Sequence, residues 1–450
     1  MALDLRHGVM AGEVTTSSVI LQTRLTRASQ DKKVPGATGI IQFEVWPESS
    51  PERSFRTAGQ KAELESDSIV KIYVDGLEPG VRYAYRAWFG PSMDALKPGE
   101  IVGRFRTLRG ASSDVPTTFV VFSCMAYEQF FIKPLPSGNP YHGEDRSLGY
   151  PALVHMKDFD PDFAIGTGDA VYYDWVNGDR AQTREEMRRR WREQAILPRF
   201  IEFFSQVASY WQKDDHDYRF NDADAFVPGL PSPQEGAAVF LEQLPVVAPG
   251  HLHATYRTYR VTQDVQIWLM EGRDFRAPNA MPDGPAKTLW GKEQRSWLES
   301  TLLASDARHL LLVSPNPMVG PDFASKNDNH TNIGGFRWER DAFFDFVIRH
   351  NLTERLSIVC GDRHWPYHSV SKEGIHEFCS GVLTDGCEEF PVPRPGDPKS
   401  TDPDRSVDQR FVAPGPTASF LKVTSPGAGG PIRFDLVSSR GATLHTTWRV

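Results

Sequence analysis

A chain of 450 residues is long for a single domain and points to two or three. With 40% hydrophobic and 24% charged residues it carries enough apolar material to bury a core, which excludes wholesale disorder. A formal net charge of −8 excludes a surface that coats nucleic acid, because such a surface needs a basic face against the phosphates. A single nucleotide or phosphodiester stays open as a ligand, since a bound metal can supply positive charge locally.

The first hundred or so residues read as β throughout. Short runs rich in Val, Ile, Tyr and Phe lie at Ser18–Leu25, Gly39–Trp46, Ile69–Val74, Arg82–Trp88 and Ile101–Thr107, separated by polar or Gly/Pro turns such as Pro79–Gly80. No helical stretch intervenes, so residues 1–110 are expected to form an all-β sandwich. Arg109–Pro116 has the polarity of a linker. From there the pattern alternates, and residues 111–450 are expected to form an α/β (α+β) domain. Strands are expected at Thr117–Cys124, Asp162–Gly168, Val265–Met270, His309–Ser314 and Leu356–Cys360. Helices are expected from Thr183 to Val207 with a break at Pro198, and over Lys292–Leu303 and Glu339–His350. The tail returns to strands at Ser419–Val423, Ile432–Val437 and Ala442–Trp448, placed to close a sheet edge, while Pro391–Pro403 has loop composition.

The apolar runs, Thr118–Cys124 among them, are strand-sized, so no transmembrane segment is expected. The opening MALDLRHGVMAGEV lacks the order of an export signal. The expected compartment is cytoplasmic as the sequence stands, or periplasmic or extracellular if a signal has been removed. Four cysteines (Cys124, Cys360, Cys379, Cys387) are too few for a disulfide scaffold. Cys379 and Cys387 are near enough in sequence to pair, and two buried thiols are an equal reading.

Acidic residues and histidines recur just past the carboxyl ends of the expected strands, where α/β folds build sites on rigid strand ends. Cys124 ends the first; alone it reads as a small buried hydrophobe as readily as a ligand. Asp169 follows the second in GDAVYYD, with Tyr172 three residues on; a carboxylate can bridge two cations, and a phenolate suits a ferric ion. Asp214, Asp215 and Asp217 flank His216 in DDHD, a repulsive cluster that needs a cation or a strong donor unless it is a solvated turn. Asp362 and His364 alternate in GDRH, so both can project to one side of an extended segment.

Taken together and in this order, strand–Cys, strand–GDxxY, DDHD and strand–GDxH resemble the calcineurin-like metallophosphoesterases, and specifically the PhoD-like (alkaline phosphatase D) group. The resemblance spans nearly the whole chain. The opening HGVMAGEVTTSSVILQTRLT is similar to that group's HGVASGDVT…LWTRL start. IWLMEGRDFRAP stands where the group has a LDTRxYR-like stretch, LWGKEQRSWLESTLLAS resembles its LGxxQxxWL helix, and GDRHWPYHSV with HEFCSG resembles its closing segment. The chain departs from the commonest pattern at DDHD in place of DDHE, at Glu271 and at Thr167, and it lacks a twin-arginine signal.

The resemblance implies a four-layer αββα catalytic domain and a phosphoesterase, acting on small or polymeric phosphate esters by attack of a metal-activated hydroxide on phosphorus. It implies Asp169 as a bridging carboxylate, with Cys124, Tyr172 and His364 completing an Fe³⁺ site. Asp215 and Asp362 would hold a harder cation such as Ca²⁺, with Zn²⁺ or Mn²⁺ as substitutes. His216 would stand beside the substrate phosphate as a proton donor, catalytic together with Asp215 and Arg276, while Asp214 or Asp217 would touch metal or orient His216. Arg273 and Arg276 would clamp phosphate oxygens or else hold the acidic loops together; Asn316 and His368 are further candidates. Trp175, Trp211 and Trp365 read as pocket walls or core. A non-catalytic phosphate- or headgroup-binding protein on the same fold is the alternative. A structural calcium protein is a third class, which the Cys–Tyr–His set disfavours because calcium takes oxygen ligands.

Overall fold

The computed structural model describes residues 2–28, 34–131, 141–174, 180–248, 250–251, 255–385 and 391–450. Two large sheets carry the architecture. Among the described residues the first has nine strands, in the order Thr443–Arg449, Ile432–Ser438, Ser419–Ser425, Thr117–Phe122, Phe163–Gly166, Ala208–Trp211, Val9–Gly12, Val19–Arg24 and Ile69–Val74. The second has seven, in the order Arg257–Arg260, Val265–Leu269, His309–Ser314, Leu356–Cys360, His376–Cys379, Tyr367–Val370 and Asp408–Val412. The central strands of both sheets run parallel, so their carboxyl ends lie along one edge.

Strand alternation explains the layering. Phe119, Val121 and Ile165 of the first sheet share one core with Ile267, Leu311, Val313 and Val359 of the second. Their neighbours point the other way. Val120, Phe122 and Ala164 pack under the helices Ala152–Asp158, Arg184–Ala195, Pro198–Gln206 and Pro233–Gln243. Trp268, Leu310, Leu312 and Ile358 pack under Gly291–Ala304 and Arg337–Arg349. Strands buried on both faces read as continuous apolar runs, as TTFVVF and HLLLVS do. The result is the expected αββα sandwich.

The N-terminal region is β as expected, with an added feature. A separate five-stranded sheet contains Gly39–Pro47, Arg82–Gly90 and Lys97–Arg106. Its partner layer, however, is the far end of the nine-stranded sheet, joined to the catalytic strands through Gly12 opposite Ser209. Phe43, Tyr85 and Phe105 therefore belong to the same hydrophobic core as Phe119 and Val265.

Helix boundaries follow local chemistry. Arg184–Ala195 starts at Thr183, whose side chain and that of Glu186 form a reciprocal capping box. Pro198 does not only end that stretch; it opens the next helix at a first-turn position where a missing N–H costs nothing. The C-terminal strands form the edge of the nine-stranded sheet as expected. Cys379 is a buried free thiol, while Cys387 and Trp175 lie outside the described residues. Trp211 and Trp365 are core residues.

Candidate active site

The carboxyl ends of six parallel strands, Thr117–Phe122, Phe163–Gly166, Ala208–Trp211, Val265–Leu269, His309–Ser314 and Leu356–Cys360, deliver the site. Cys124, Asp169 and Asp362 each leave a strand in a left-handed backbone conformation, with φ of 59°, 56° and 65°. Non-glycine residues adopt that region rarely, and a set of three at strand ends is the pattern of strain stored at a functional site. Two glycines permit the close approach of these loops. A Cβ on Gly168 would lie 2.5 Å from Asp214 Cβ, and one on Gly361 would lie 2.3 Å from Thr167 Oγ1 and 2.4 Å from Ser123 Oγ. Gly361 thus lets the second sheet's loop touch the first sheet's strand ends.

Around Asp169 the contacts converge. Its Oδ2 lies 3.4 Å from Cys124 Sγ and 3.5 Å from the Tyr172 hydroxyl. Its Oδ1 accepts the His216 N–H at 3.4 Å. The Tyr172 and His216 rings stack at 4.1 Å. The Asp362 N–H donates to Ser123 Oγ at 3.3 Å, and Ser123 Oγ lies 3.1 Å from Cys124 Sγ. One ligand atom each from Asp169, Asp215 and His216 falls within 4.8 Å of the others. His364 sits near enough to Arg363 and His216 that burial, then those charges, hold its imidazole neutral, down to about 3.

The electrostatics show what the cluster requires. Burial, reinforced by Asp215, raises Asp169 well above the carboxylate range, and burial raises Asp362 as well. Burial pushes the Cys124 thiol and the Tyr172 phenol up, with Asp169 adding to the first and Cys124 to the second. Asp215 goes the other way: burial opposes its charge, but His216, Arg273 and Lys326 hold it low. Its Oδ2 accepts the Asp222 N–H at 2.5 Å, yet among the described residues its buried Oδ1 has no hydrogen-bond donor, nor does Asp362 Oδ2. Buried carboxylate oxygens without donors are costly, and a cation coordinated by them relieves both that cost and the mutual repulsion. The donor set of thiol, phenol, imidazole and carboxylates fits transition-metal and hard-cation ligation.

Several sequence candidates sit elsewhere in the network. Arg273 is fully buried; its Nε donates to Asp214 Oδ1 at 2.7 Å, its Nη2 pairs with the same oxygen, and its Nη1 donates to the Ala223 carbonyl at 3.0 Å. Asn316 Nδ2 donates to both Asp214 oxygens at 3.1 Å and its Oδ1 accepts from Arg276 at 3.2 Å. Arg276 further donates to the Gly272 carbonyl at 2.7 Å, lies over the Phe336 ring, and is buried enough to fall to about 10. The three thus form one buried strut behind Asp214. Asp217 is also turned away: it accepts the Ala170 N–H at 3.0 Å and the Asp214 N–H at 2.7 Å. The carboxylate that orients His216 is neither Asp214 nor Asp217 but Asp174, whose Oδ1 lies 2.7 Å from His216 Nδ1. Asp174, helped by Asp215 and Asp169, overcomes burial and raises the imidazole well above its ordinary value. Asp174 closes the GDAVYYD motif, and that position is the signal that would have found it. His368 lies outside this site, bonded to His376 and His445.

Residues 119–391 match the PhoD-like phosphatase domain and residues 2–109 the PhoD-like phosphatase N-terminal domain. Alkaline phosphatase D of Bacillus subtilis (strain 168) is 25% identical over 405 residues, a match covering 79% of this chain and 64% of that protein. The chain therefore spans under two thirds of that relative's length. The solved structure of PhoD superimposes with a TM-score of 0.76 at 19% identity, covering 99% of this chain and 89% of that one. Purple acid phosphatase PPD1 from yellow lupin (Lupinus luteus) seeds does so with a TM-score of 0.63 at 13% identity, covering 98% and 73%. At such identities the two structures speak for the fold alone. With the matched phosphatase domain covering more than half of its length, the chain belongs to the PhoD-like phosphatase family.

Proposed function

We propose that this protein is a metal-dependent phosphoesterase. The observation that carries the reading is the pair of buried, donorless carboxylate oxygens, Asp215 Oδ1 and Asp362 Oδ2, beside Asp169 on which a thiol and a phenol converge. The names of the relatives, an alkaline phosphatase and a purple acid phosphatase, agree with it. Cys124, Asp169, Tyr172 and His364 would hold one ion, best matched by Fe³⁺. Asp169, Asp215 and Asp362 would hold a second, oxygen-liganded ion such as Ca²⁺, with Zn²⁺ or Mn²⁺ as substitutes. Such ions supply Lewis acidity and positive charge opposite a phosphoryl group.

The chain's own groups do the rest. With Nδ1 committed to Asp174, His216 presents only Nε2, and the carboxylate stabilises the protonated ring. That ring is placed to give its proton to the departing ester oxygen, the role of a general acid. Asp214, fixed by Arg273 and Asn316, anchors the turn from which Asp215 and His216 project. A second role for His216 has its own support, since its ring nitrogen is close enough to Asp169 and Asp215 to share a cation with them. Metal content separates the two: His216→Ala keeps its metals if the ring is the acid and loses one if it is a ligand.

The direct test is hydrolysis of bis-p-nitrophenyl phosphate and p-nitrophenyl phosphate with added calcium, using Asp169→Asn as the blank. Turnover by the wild type that the variant lacks supports the reading, and the faster substrate assigns diester or monoester preference. No turnover of either by protein carrying its metals would overturn it in favour of a phosphate- or headgroup-binding role.

A further inference from the structure

The arginines that the sequence offers to a substrate phosphate are consumed inside the fold, Arg273 on Asp214 and Arg276 on Asn316 and the Gly272 carbonyl. A cation that remains open at the same place is Lys326. It lies in the irregular stretch that follows the strand His309–Ser314. Its Nζ donates to Asp222 Oδ1 at 2.6 Å, and the Asp222 N–H in turn holds Asp215 Oδ2 at 2.5 Å, so the ammonium stands one residue away from a candidate metal ligand. Its charge reaches Asp215, Asp362 and His364 alike. Its side chain is 22% exposed, whereas that of Arg273 is 0% and that of Arg363 is 5%.

An ammonium has three N–H donors. Among the described residues one goes to Asp222; the next carboxylate oxygen, Asp328 Oδ1, is 4.0 Å away, beyond hydrogen-bond reach. Asp328 is itself buried, and that oxygen has no donor. It therefore acts as a fixed negative charge behind the ammonium, holding it in place without using its protons.

We infer that Lys326 is a substrate-binding residue whose free N–H donors take a non-bridging oxygen of the phosphoryl group, with Asp222 and Asp328 as its positioning residues. This rests on the hydrolase reading above. Charge spreads over the phosphoryl oxygens as the ester bond breaks, so a preplaced cation aids both binding and turnover. As a point charge on a flexible stem, a lysine imposes no planar fork on the ligand and so tolerates esters of different shape.

The test uses metal-loaded protein and two charge-removing variants, with Lys326→Arg as the conservative control. Lys326→Gln removes the charge; Lys326→Gln with Asp328→Asn removes it together with its buried counter-charge, so that folding is preserved. Binding of inorganic phosphate is measured by titration calorimetry, alongside KM for p-nitrophenyl phosphate and metals per chain. The expected result is a tenfold or greater weakening of phosphate binding with a parallel rise in KM in both variants, unchanged metal content, and partial recovery in Lys326→Arg. Unchanged phosphate binding in both variants would overturn the assignment while leaving the hydrolase reading intact. So would a loss in the single variant that the double variant restores, because Lys326 would then serve only to neutralise Asp328. A wild type that neither binds phosphate nor hydrolyses ester would overturn both.

Discussion

Replacing Arg273 by leucine separates the two roles open to that side chain. Asp214 Oδ1 takes the guanidinium through Nε at 2.7 Å and through Nη2, both groups being buried, and the same guanidinium lies 3.6 Å from Asp215. Without it, Asp214 keeps the two Asn316 contacts at 3.1 Å but no buried cation in direct contact among the described residues, and the Ala223 carbonyl loses its donor. Removing one member of a buried ion pair costs about 3–5 kcal/mol, because the other charge is left uncompensated. For a cooperative unit of 450 residues, at about 2.1 cal/mol/K of unfolding entropy per residue, that corresponds to a melting temperature lower by about 3–5 °C. Adding Asp214→Asn should return about 2 kcal/mol, the coupling expected of residues in direct contact. Thermal unfolding of the four members of this cycle, followed by circular dichroism, measures both terms. Inhibition by inorganic phosphate should stay within about threefold of wild type, since the strut does not face substrate. A variant that melts like wild type while losing phosphate affinity tenfold would refute the reasoning and make Arg273 a substrate clamp.

Two further outcomes follow from the geometry. Asp174→Asn removes the charge that orients and protonates His216, so kcat for the preferred ester should fall about 10–100-fold with little change in KM, as seen for partners that aim an active-site histidine. Steady-state kinetics checks it, and an unchanged kcat would remove Asp174 from the machinery. His7 supplies a pH term remote from the site. Burial, then Arg24, lowers its folded-state value to about 3, and its Nε2 has no hydrogen-bond partner among the described residues. The neutral ring is thus the folded form. Its contribution is intact above about pH 6.5 and is lost as pH falls, reaching about 2–3 kcal/mol at pH 4.5. Urea unfolding at pH 7.5 and 4.5 should show that extra loss in wild type relative to His7→Leu; equal losses would contradict it.

The layers of the catalytic domain were readable because parallel strands buried on both faces leave unbroken apolar runs, and each run that mattered ended in a Gly-Asp or Ser-Cys turn. Short elements without such signals escaped: the helix Ala152–Asp158, the helix Pro233–Gln243 and the strand Ala208–Trp211, which precedes DDHD. The N-terminal strands were readable as strands, but their local pattern is the same whether they face their own sheet or extend another. At the site, residues fixed to strand ends were identifiable from the motifs that carry them. The direction of a long side chain was not. Arg273 and Lys326 lie in loops of similar composition, and only the fold shows that one turns inward to Asp214 while the other stays half-open beside Asp222. Asp174 was hidden for a related reason: its contact with His216 joins two loops 42 residues apart.

The proposed metal centre has Asp169 at its heart, with Cys124, Tyr172, Asp215, Asp362 and His364 as the other ligands. Metal content of purified wild type and Asp169→Asn, measured by atomic emission beside their circular dichroism and visible spectra, tests it most directly. Iron with a second cation is expected in the wild type, with a visible absorption band from Tyr172 bound to ferric iron. Asp169→Asn should stay folded and lose metal, the band and ester hydrolysis together. A folded Asp169→Asn with wild-type metal occupancy and turnover would contradict it.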